Sequence, residues 1–344
     1  MKVIMKLTIK DIAKMAGVSV ATVSRVINKS KPVNDEIREK VEKVIRETQF
    51  RPNALARGLI SKSTNLIGVI FPQINYTSAE LINGIEDVAN RNGYNIILSN
   101  TRLDPEMELK SLEIFKEKQV DGIILSAIHT TEQHVDWIKA NKIPIVVVGQ
   151  KVTGQNITWV DVDNYTPITE MVRYLVRCGH EKIGMIHGPL HDQSAGYSRY
   201  KGFIDEMKRL GLPVNQDFIA ESNFSSGEGY EAMVTLLRKR DLPTAILCAS
   251  DTIAIGAKNC AEDQGYRVPD DISIAGFDDI ELATLVRPQL TTVRVDFEAM
   301  GSKAMEALLQ NIGQPGTAPQ EHYIDYRLSL RDSVKKMMQA DREL

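Results

Sequence analysis

The stretch TIKDIAKMAGVSVATVSRVIN, residues 8–28, decides how the chain is to be read. Thr8 precedes Ile9, Ile12, Ala13 and Ala16, apolar positions at helical spacing. Asp11 falls in the first turn, where a carboxylate meets the positive end of the helix dipole. Gly17 supplies a left-handed stop, and Ser19 is the next N-cap candidate. A second helix follows from Val20 to Ile27, with Val23 and Val26 turned inward. Two short helices around a glycine-bearing turn form a helix-turn-helix pattern. Asn34 caps a third helix, Asp35 to Thr48, whose Ile37, Val41, Val44 and Ile45 share one face, so three helices can close over one small core.

The second helix carries chemistry suited to a major groove. Val20 and Ala21 can meet thymine methyl groups, and Arg25, one turn on, can reach guanine acceptors bidentately. Ser19, Thr22, Ser24 and Asn28, with Thr8 at the start of the first helix, are short polar groups that suit phosphates. A capped helix hairpin with a solvated polar face is the plainer alternative. Charge favours the first reading. Residues 1–62 hold 14 Lys and Arg against 6 Asp and Glu, whereas residues 63–344 hold 28 against 39. A basic head on an acidic body means that only the head is suited to a polyanion.

The same stretch, followed by the capped third helix and RPNALARGL (51–59), closely resembles the LacI/GalR family of bacterial regulators, and the resemblance runs through essentially the whole chain. It implies double-stranded operator DNA as a partner, with Val20, Ala21 and Arg25 facing bases. It also implies that Asn53 to Leu59 form a hinge helix, in which Asn53, Ala56 and Arg57 join the DNA contacts and Leu59 wedges into the central base step of a pseudopalindrome. Arg51-Pro52 stops the third helix. The segment after it is short, and Gly58 weakens it by about 1 kcal/mol relative to Ala, so it is expected to be helical only when docked.

From Leu66 the pattern changes to β-branched runs alternating with helical stretches. The expected strands are Leu66–Phe71, Asn95–Ser99, Gly122–Ser126, Ile143–Gly149 and Thr158–Asp161, with helices Ala79–Asn92 and Glu106–Lys118 between them. The pattern restarts after Pro167 with Ile183–His187, Phe218–Glu221, Ala245–Ala249, Ser273–Gly276 and Thr292–Val295. Strands alternating with helices predict parallel sheets, and two series predict two lobes. The fold class is therefore α/β: an N-terminal all-α helix-turn-helix domain plus a body of two Rossmann-like lobes. The resemblance makes that body periplasmic-binding-protein-like, with the chain crossing near Val162, Leu290 and His322. The expected division is a head at 1–50, a hinge at 51–63, a first lobe from 64–161 and 291–321, and a second lobe from 162–290 and 322–344.

A ligand in such a body sits between the lobes at strand C-terminal ends. By resemblance and chemistry, four second-lobe residues are candidates for the effector site. Arg199, in GYSRYKGF, offers a guanidinium fork for hydroxyls, a carboxylate or a phosphate, unless it pairs with Asp205 or Glu206. Phe224 can stack on a ring or belong to the core; Asp278, in GFDD, can accept from hydroxyls or cap a helix; Ser250 ends ILCAS. Tyr76, Thr77, Ser78 and Gln150 are the first-lobe candidates. Gln150 stands where several relatives place an acidic residue, and Tyr197 where some sugar-sensing members have arginine, so the ligand is open within a small-molecule, carbohydrate-like class. Asp251 is read as a cap or brace.

ARGLISKST, YNIILSN, KQVDGII and RPQLTTV look like the catabolite control subgroup, whose corepressor is a phosphorylated carrier protein. Its partner-binding Tyr-Asp-Ile-Gly is here Glu298-Ala299-Met300-Gly301, with Glu306 for a later arginine, and carboxylates repel an acidic partner. A homodimer is expected, because specific affinity needs two half-sites. The helices Ala79–Asn92 and Thr252–Gln264, apolar beyond one stripe, are candidate interfaces or plain core helices. Ser333–Leu344 has no leucine heptad for a tetramer.

No apolar run reaches membrane-span length, and Met1–Lys6 lacks a signal-peptide layout, so a cytoplasmic protein that meets no membrane is expected. Cys178, Cys248 and Cys260 match no metal spacing and read as buried reduced thiols. His187 and His191 are separated by Gly188-Pro189, which breaks any shared helix. No Walker loop, nucleophile elbow or zinc-protease motif occurs, so neither an enzyme nor a cofactor is expected. A solute-binding protein is the rival that the body alone would permit.

Overall fold

The computed structural model describes residues 7–28, 31–50, 63–126, 131–152 and 157–337. The chain divides into two units at Asn65/Leu66. The first unit contains helices α1 (Ile9–Ala16), α2 (Val20–Asn28) and α3 (Asp35–Thr48). Their core is Ile12, Ala13, Val23 and Val41, ringed by half-buried Val26, Val44 and Ile45. The helix boundaries follow from local chemistry. The Thr8 amide and hydroxyl both donate to the Asp11 carboxylate, at 2.8 and 2.7 Å. Gly17 takes φ 67° and sends its N–H back to the Lys14 carbonyl. Ser19 Oγ accepts the Thr22 amide at 3.1 Å, and Asn34 Oδ1 accepts the Glu36 amide at 2.9 Å.

Among the described residues the second unit holds a six-stranded, a four-stranded and a two-stranded sheet. In the first lobe six strands lie in the order β11-β5-β4-β3-β1-β2, every adjacent pair parallel. These are β1 (Leu66–Phe71), β2 (Asn95–Asn100), β3 (Gly122–Leu125), β4 (Ile145–Val148), β5 (Thr158–Val162) and β11 (Glu321–Ile324). The inner strands are continuous apolar runs because helices cover both faces. Helix α4 (Tyr76–Arg91) and the late helix α12 (Phe297–Gly313) lie over the core containing Ile67, Val69 and Val146. The opposite core, of Leu112, Phe115 and Trp159, lies beneath α5 (Pro105–Glu117) and α6 (Glu132–Asn141). The second lobe has four parallel strands, β7-β6-β8-β9, drawn from Ile183–His187 (β6), Ile219–Glu221 (β7), Ala245–Cys248 (β8) and Ser273–Ala275 (β9). Its helices are α7 (Thr166–Arg177), α8 (Arg199–Arg209), α9 (Ser226–Leu237), α10 (Asp251–Asp263) and α11 (Glu281–Leu285).

The crossings differ from expectation in detail. Thr292–Val295 (β10) pairs antiparallel with Tyr326–Ser329 (β12), and bridges from Ala275 to Thr291 and from Asp278 to Arg294 tie β10 to the second lobe. Glu321–Ile324 pairs with Trp159–Val162 in the first sheet. The chain therefore changes lobe after Val162, at Asp296 and at Asp325, rather than near Leu290 and His322. The hydrogen-bond ladder decides this, and β10 and β11 are each too short for periodicity to assign to a sheet.

One device recurs in both lobes. A Cβ at Gly84 of α4 would overlap the Glu298 carbonyl of α12, and one at Gly301 would overlap the Leu81 carbonyl. In the second lobe Gly229 of α9 meets Ile253, and Gly256 of α10 meets Ser226, in the same way. These crossings bear on the two candidate interface helices. Leu81, Ile85 and Val88 of the first candidate interface helix, and Ile253, Ala257 and Cys260 of the second, are buried within the chain itself. That part of their apolar surface is covered by a helix neighbour in the same lobe, while Ile82 and Ile255 remain half-buried. No described helix is long and apolar enough to cross a membrane, and no metal-ligating cluster occurs among the described residues.

Candidate functional site

In the head, Val20, Ala21 and Arg25 are exposed while Val23, on the same helix, is fully buried. A core contact at Val23 thus fixes α2 and turns the residues one turn apart outward together. Thr8 and Ser19 spend hydrogen bonds on their own caps, and Ser19 Oγ lies 2.9 Å from Thr22 Oγ1. Asn53, Ala56, Arg57 and Leu59 lie outside the described residues.

The body builds its polar site around Arg199. A π-helical turn, Gln193–Ser198, capped by the Asp192 carboxylate accepting the Ser194 and Ala195 amides, delivers Arg199 to the start of α8. Arg199 is 5% exposed, and its guanidinium stacks 3.6 Å from the Phe277 ring centroid. Nε donates to Asn164 Oδ1 at 2.8 Å, and Nη1 to the Ala249 carbonyl at 2.5 Å and to Asp278 Oδ1 at 3.5 Å. Burial lowers its pKa, and Asp278, Asp192 and Asp161 act against that. Asp205 and Glu206, the alternative partners, are engaged elsewhere: Asp205 with Lys201, Glu206 with Arg173 and Arg209.

Asp278 and Asp279 occupy an elbow with φ 113° and 58°, a region that non-glycine residues enter only when their surroundings impose it. Asp278 faces Arg199, and burial pushes its carboxyl up to about 6 against the pull of that cation. Asp279 turns to the crossover strands, meeting Arg331 Nη2 at 2.6 Å and accepting from the Ser329 hydroxyl at 2.9 Å. Glu80, on the first turns of α4, lies within electrostatic reach of Asp278 and raises it further. Asp251, fully buried, accepts from the Thr292 hydroxyl at 2.5 Å and from the Ile280 amide at 2.9 Å. It acts as a brace.

The other nominated residues divide. Gln150 is buried and lines a cavity of about 500 Å³ between the lobes, together with Asp161, Asn164, Gln193 and Ser194. Arg199 reaches that cavity through Asn164. Ser250 accepts the Ile253 amide at 3.2 Å, which makes it the cap of α10. Phe224, at φ 67°, lays its ring where a Cβ on Gly188 would stand, at the end of β6. Tyr76, Thr77 and Ser78 form the first turn of α4. Tyr76 is half exposed, Thr77 donates to Asn75 Oδ1 at 2.9 Å, and Ser78 Oγ accepts the Asn75 amide at 2.6 Å. Sequence reasoning missed Asp161, Asn164 and Asp192. Asp161 and Asn164 straddle the C-terminal end of β5, and the position past a strand end was the available signal.

Comparison with known proteins joins both units. The family model "Bacterial regulatory proteins, lacI family" matches residues 8–53, and a periplasmic binding protein-like domain matches residues 172–334. Catabolite control protein A of Priestia megaterium is 38% identical over 332 residues, covering 96% of this chain and all of that protein. The HTH-type transcriptional repressor PurR of Haemophilus influenzae is 36% identical over 336 residues, covering 96% of this chain and 99% of its own. Among solved structures, the lac repressor dimer bound to operator and the anti-inducer ONPF superposes with a TM-score of 0.87 at 27% identity, covering 96% of this chain and 99% of that one. A CelR–cellobiose complex gives 0.73 at 26% identity, covering 95% and 99%.

Proposed function

The chain belongs to the LacI family of bacterial regulatory proteins, and from that premise we propose that it is a dimeric transcriptional repressor whose hold on a pseudopalindromic operator is set by a small molecule between the lobes. The observation that carries the reading is the outward face of α2. Val20, Ala21 and Arg25 are presented together by a helix locked at Val23 and started at Ser19, whose hydroxyl accepts the Thr22 amide. Apolar contact with thymine methyls and a bidentate grip on guanine are what those side chains supply. In this reading the protein works as a regulator, not an enzyme, in the cytoplasm where its DNA is. Ligand contact alters how the two lobes close, and that change sets the operator affinity.

The test is an unbiased oligonucleotide selection followed by a binding titration across salt. Sequence preference with a steep salt dependence is expected. Arg25→Ala should cost roughly 1–3 kcal/mol on the selected site and relax one base position. Equal loss on random DNA would reduce Arg25 to a phosphate contact.

Similarity to Catabolite control protein A favours a second reading, in which a phosphorylated carrier protein is the corepressor. Against it, Glu298 and Glu306 are exposed on α12, and Gly301 is consumed by the crossing with α4. Micromolar binding of a serine-phosphorylated carrier protein would reverse the preference.

A further inference from the structure

The cavity between the lobes takes part of its first-lobe wall from the start of α6, through Thr131, Glu132, Val135, Asp136 and Lys139. In a capping box the third helical residue reaches back to the amide of the cap, and that residue is ordinarily Glu or Gln. In α6 it is His134. Thr131 Oγ1 accepts the His134 amide at 3.4 Å. His134 Nδ1 accepts the Thr131 amide at 3.2 Å, with the Thr131 hydroxyl 2.8 Å away. An amide can only donate, so Nδ1 must present a lone pair. The proton of a neutral ring therefore belongs on Nε2.

Nε2 meets a carboxylate. Glu108 of α5 is 2% exposed and His134 1% exposed, and Glu108 Oε2 lies 3.2 Å from Nε2. The approach misses hydrogen-bond geometry. Among the described residues neither His134 Nε2 nor Glu108 Oε1 makes a hydrogen bond. No second charge is placed to help. Every other charged residue of α5 is exposed, and Glu113 accepts from the Trp137 indole at 2.6 Å. Strands β3 and β4, packed against α6 through Ile123, Leu125, Ile145 and Val147, are uncharged. On α6 itself Glu132, Asp136 and Lys139 line the cavity. The two demands on the ring exclude each other. A neutral ring caps α6 but leaves the buried Glu108 carboxylate without a cation, which a dry interior penalises. A protonated ring supplies that cation, but its new Nδ1–H faces the Thr131 N–H. The Thr131 hydroxyl can rotate to accept it; the amide cannot, and the first turn of α6 loses its cap.

We propose that His134 is a proton-operated positioning residue for the first-lobe wall of the cleft. Neutral, it holds the first turn of α6 in place; protonated, it is claimed by Glu108 and that turn is released. Contact between a ligand and this wall thereby depends on pH in the range where an imidazole takes up its proton. That consequence rests on the cleft being the effector site, as read above. The switch itself is a property of the first lobe, and its test needs no ligand.

The experiment is amide hydrogen exchange on the full-length protein, read by mass spectrometry from about pH 8 to about pH 5 and corrected for intrinsic exchange rates. Peptides spanning α6 are compared with α7 of the second lobe. Protection of α6 should fall about tenfold on acidification while that of α7 holds. His134→Asn keeps a short acceptor at the third helical position and cannot take up a proton, so α6 should stay protected throughout. Glu108→Gln removes the counter-charge, and the fall should move to lower pH. In protein labelled with nitrogen-15 histidine, the His134 ring should carry its proton on Nε2 at the alkaline end. Unchanging α6 protection in the unaltered protein overturns the proposal, as does a fall shared equally by α7 or a ring proton found on Nδ1. So does a fall that survives in His134→Asn, or one that Glu108→Gln does not move. The exchange profile and the tautomer of the unaltered protein decide the matter even where a variant fails to fold. Absence of any operator preference in the selection above would sink the regulator reading and leave this switch standing.

Discussion

The two lobes share an architecture and differ in how they hold the side chains that face the cleft. In the second lobe those side chains hold one another. Arg199 is bonded to Asn164, to the Ala249 carbonyl and to Asp278, and it stacks on Phe277. Asp251 joins Thr292 to Ile280, and Asp279 joins Arg331 and Ser329. In the first lobe the groups on the first turn of α4 hold only their own helix: Thr77 and Ser78 bond to Asn75, and Tyr76 stands half exposed. A second-lobe side chain therefore cannot be removed without leaving buried partners unsatisfied. Tyr76, on the first turn of α4, can be. The second lobe is a preorganised wall, and the first is a rim that meets whatever the wall has bound.

The largest expected effect is at Arg199. Arg199→Ala should abolish the ligand response and also cost roughly 3–5 kcal/mol of stability, because Asp278 loses its cation and Asn164 its donor. Denaturant unfolding measured beside ligand titration reads both, and loss of response at unchanged stability would break the contrast. Asp251→Ala comes next, at roughly 2–4 kcal/mol, with two buried donors left without an acceptor. Asp251→Asn should recover most of that.

Proton linkage supplies the third prediction. The folded pKa of Asp278, about 6, lies above its ordinary 3.8. Its contribution to stability is thus complete below about pH 4 and is lost as pH rises towards 6, since the unfolded chain ionises first. A shift of about 2 units corresponds to roughly 3 kcal/mol at most. Asp278→Asn should remove that part of the slope between acid and neutral pH, and an unchanged slope would show that the carboxyl is not held protonated there. The smallest effects belong to the rim. Ser78→Ala should cost about 1 kcal/mol as a lost cap. Tyr76→Ala should stay within about 0.5 kcal/mol in stability, so any change in ligand affinity there reports contact alone.

What the sequence disclosed followed the range of the interactions. The head was legible because its information is local: Thr8 with Asp11, Ser19 with Thr22 and Asn34 with Glu36 are all within three residues, and each cap fell where the residue types required. The strands that were read lie within about two residues of those observed for the same reason, whereas β11 and β12 were not read. The helix Glu132–Asn141 was not anticipated, since its apolar positions are few and only Val135 and His134 are buried. The partners of Arg199 lie 35, 50 and 79 positions away, so nothing in its neighbourhood could name them. The helix that covers Leu81, Ile85 and Val88 arrives more than 200 residues later, so the neighbourhood of Ala79–Asn92 could not name it either.

The four glycines at the helix crossings set a limit of a different kind. At positions 84, 229, 256 and 301 the opposing main chain leaves room for a hydrogen atom and nothing larger. Main chain cannot rotate aside as a side chain would. Saturation mutagenesis across these sites, selected for retained repression, should return the parental codon family at each. They behave as fixed points around which the remaining surface of both helix pairs is free to drift, and a variant that escapes one of them must do so by separating two helices along their whole length.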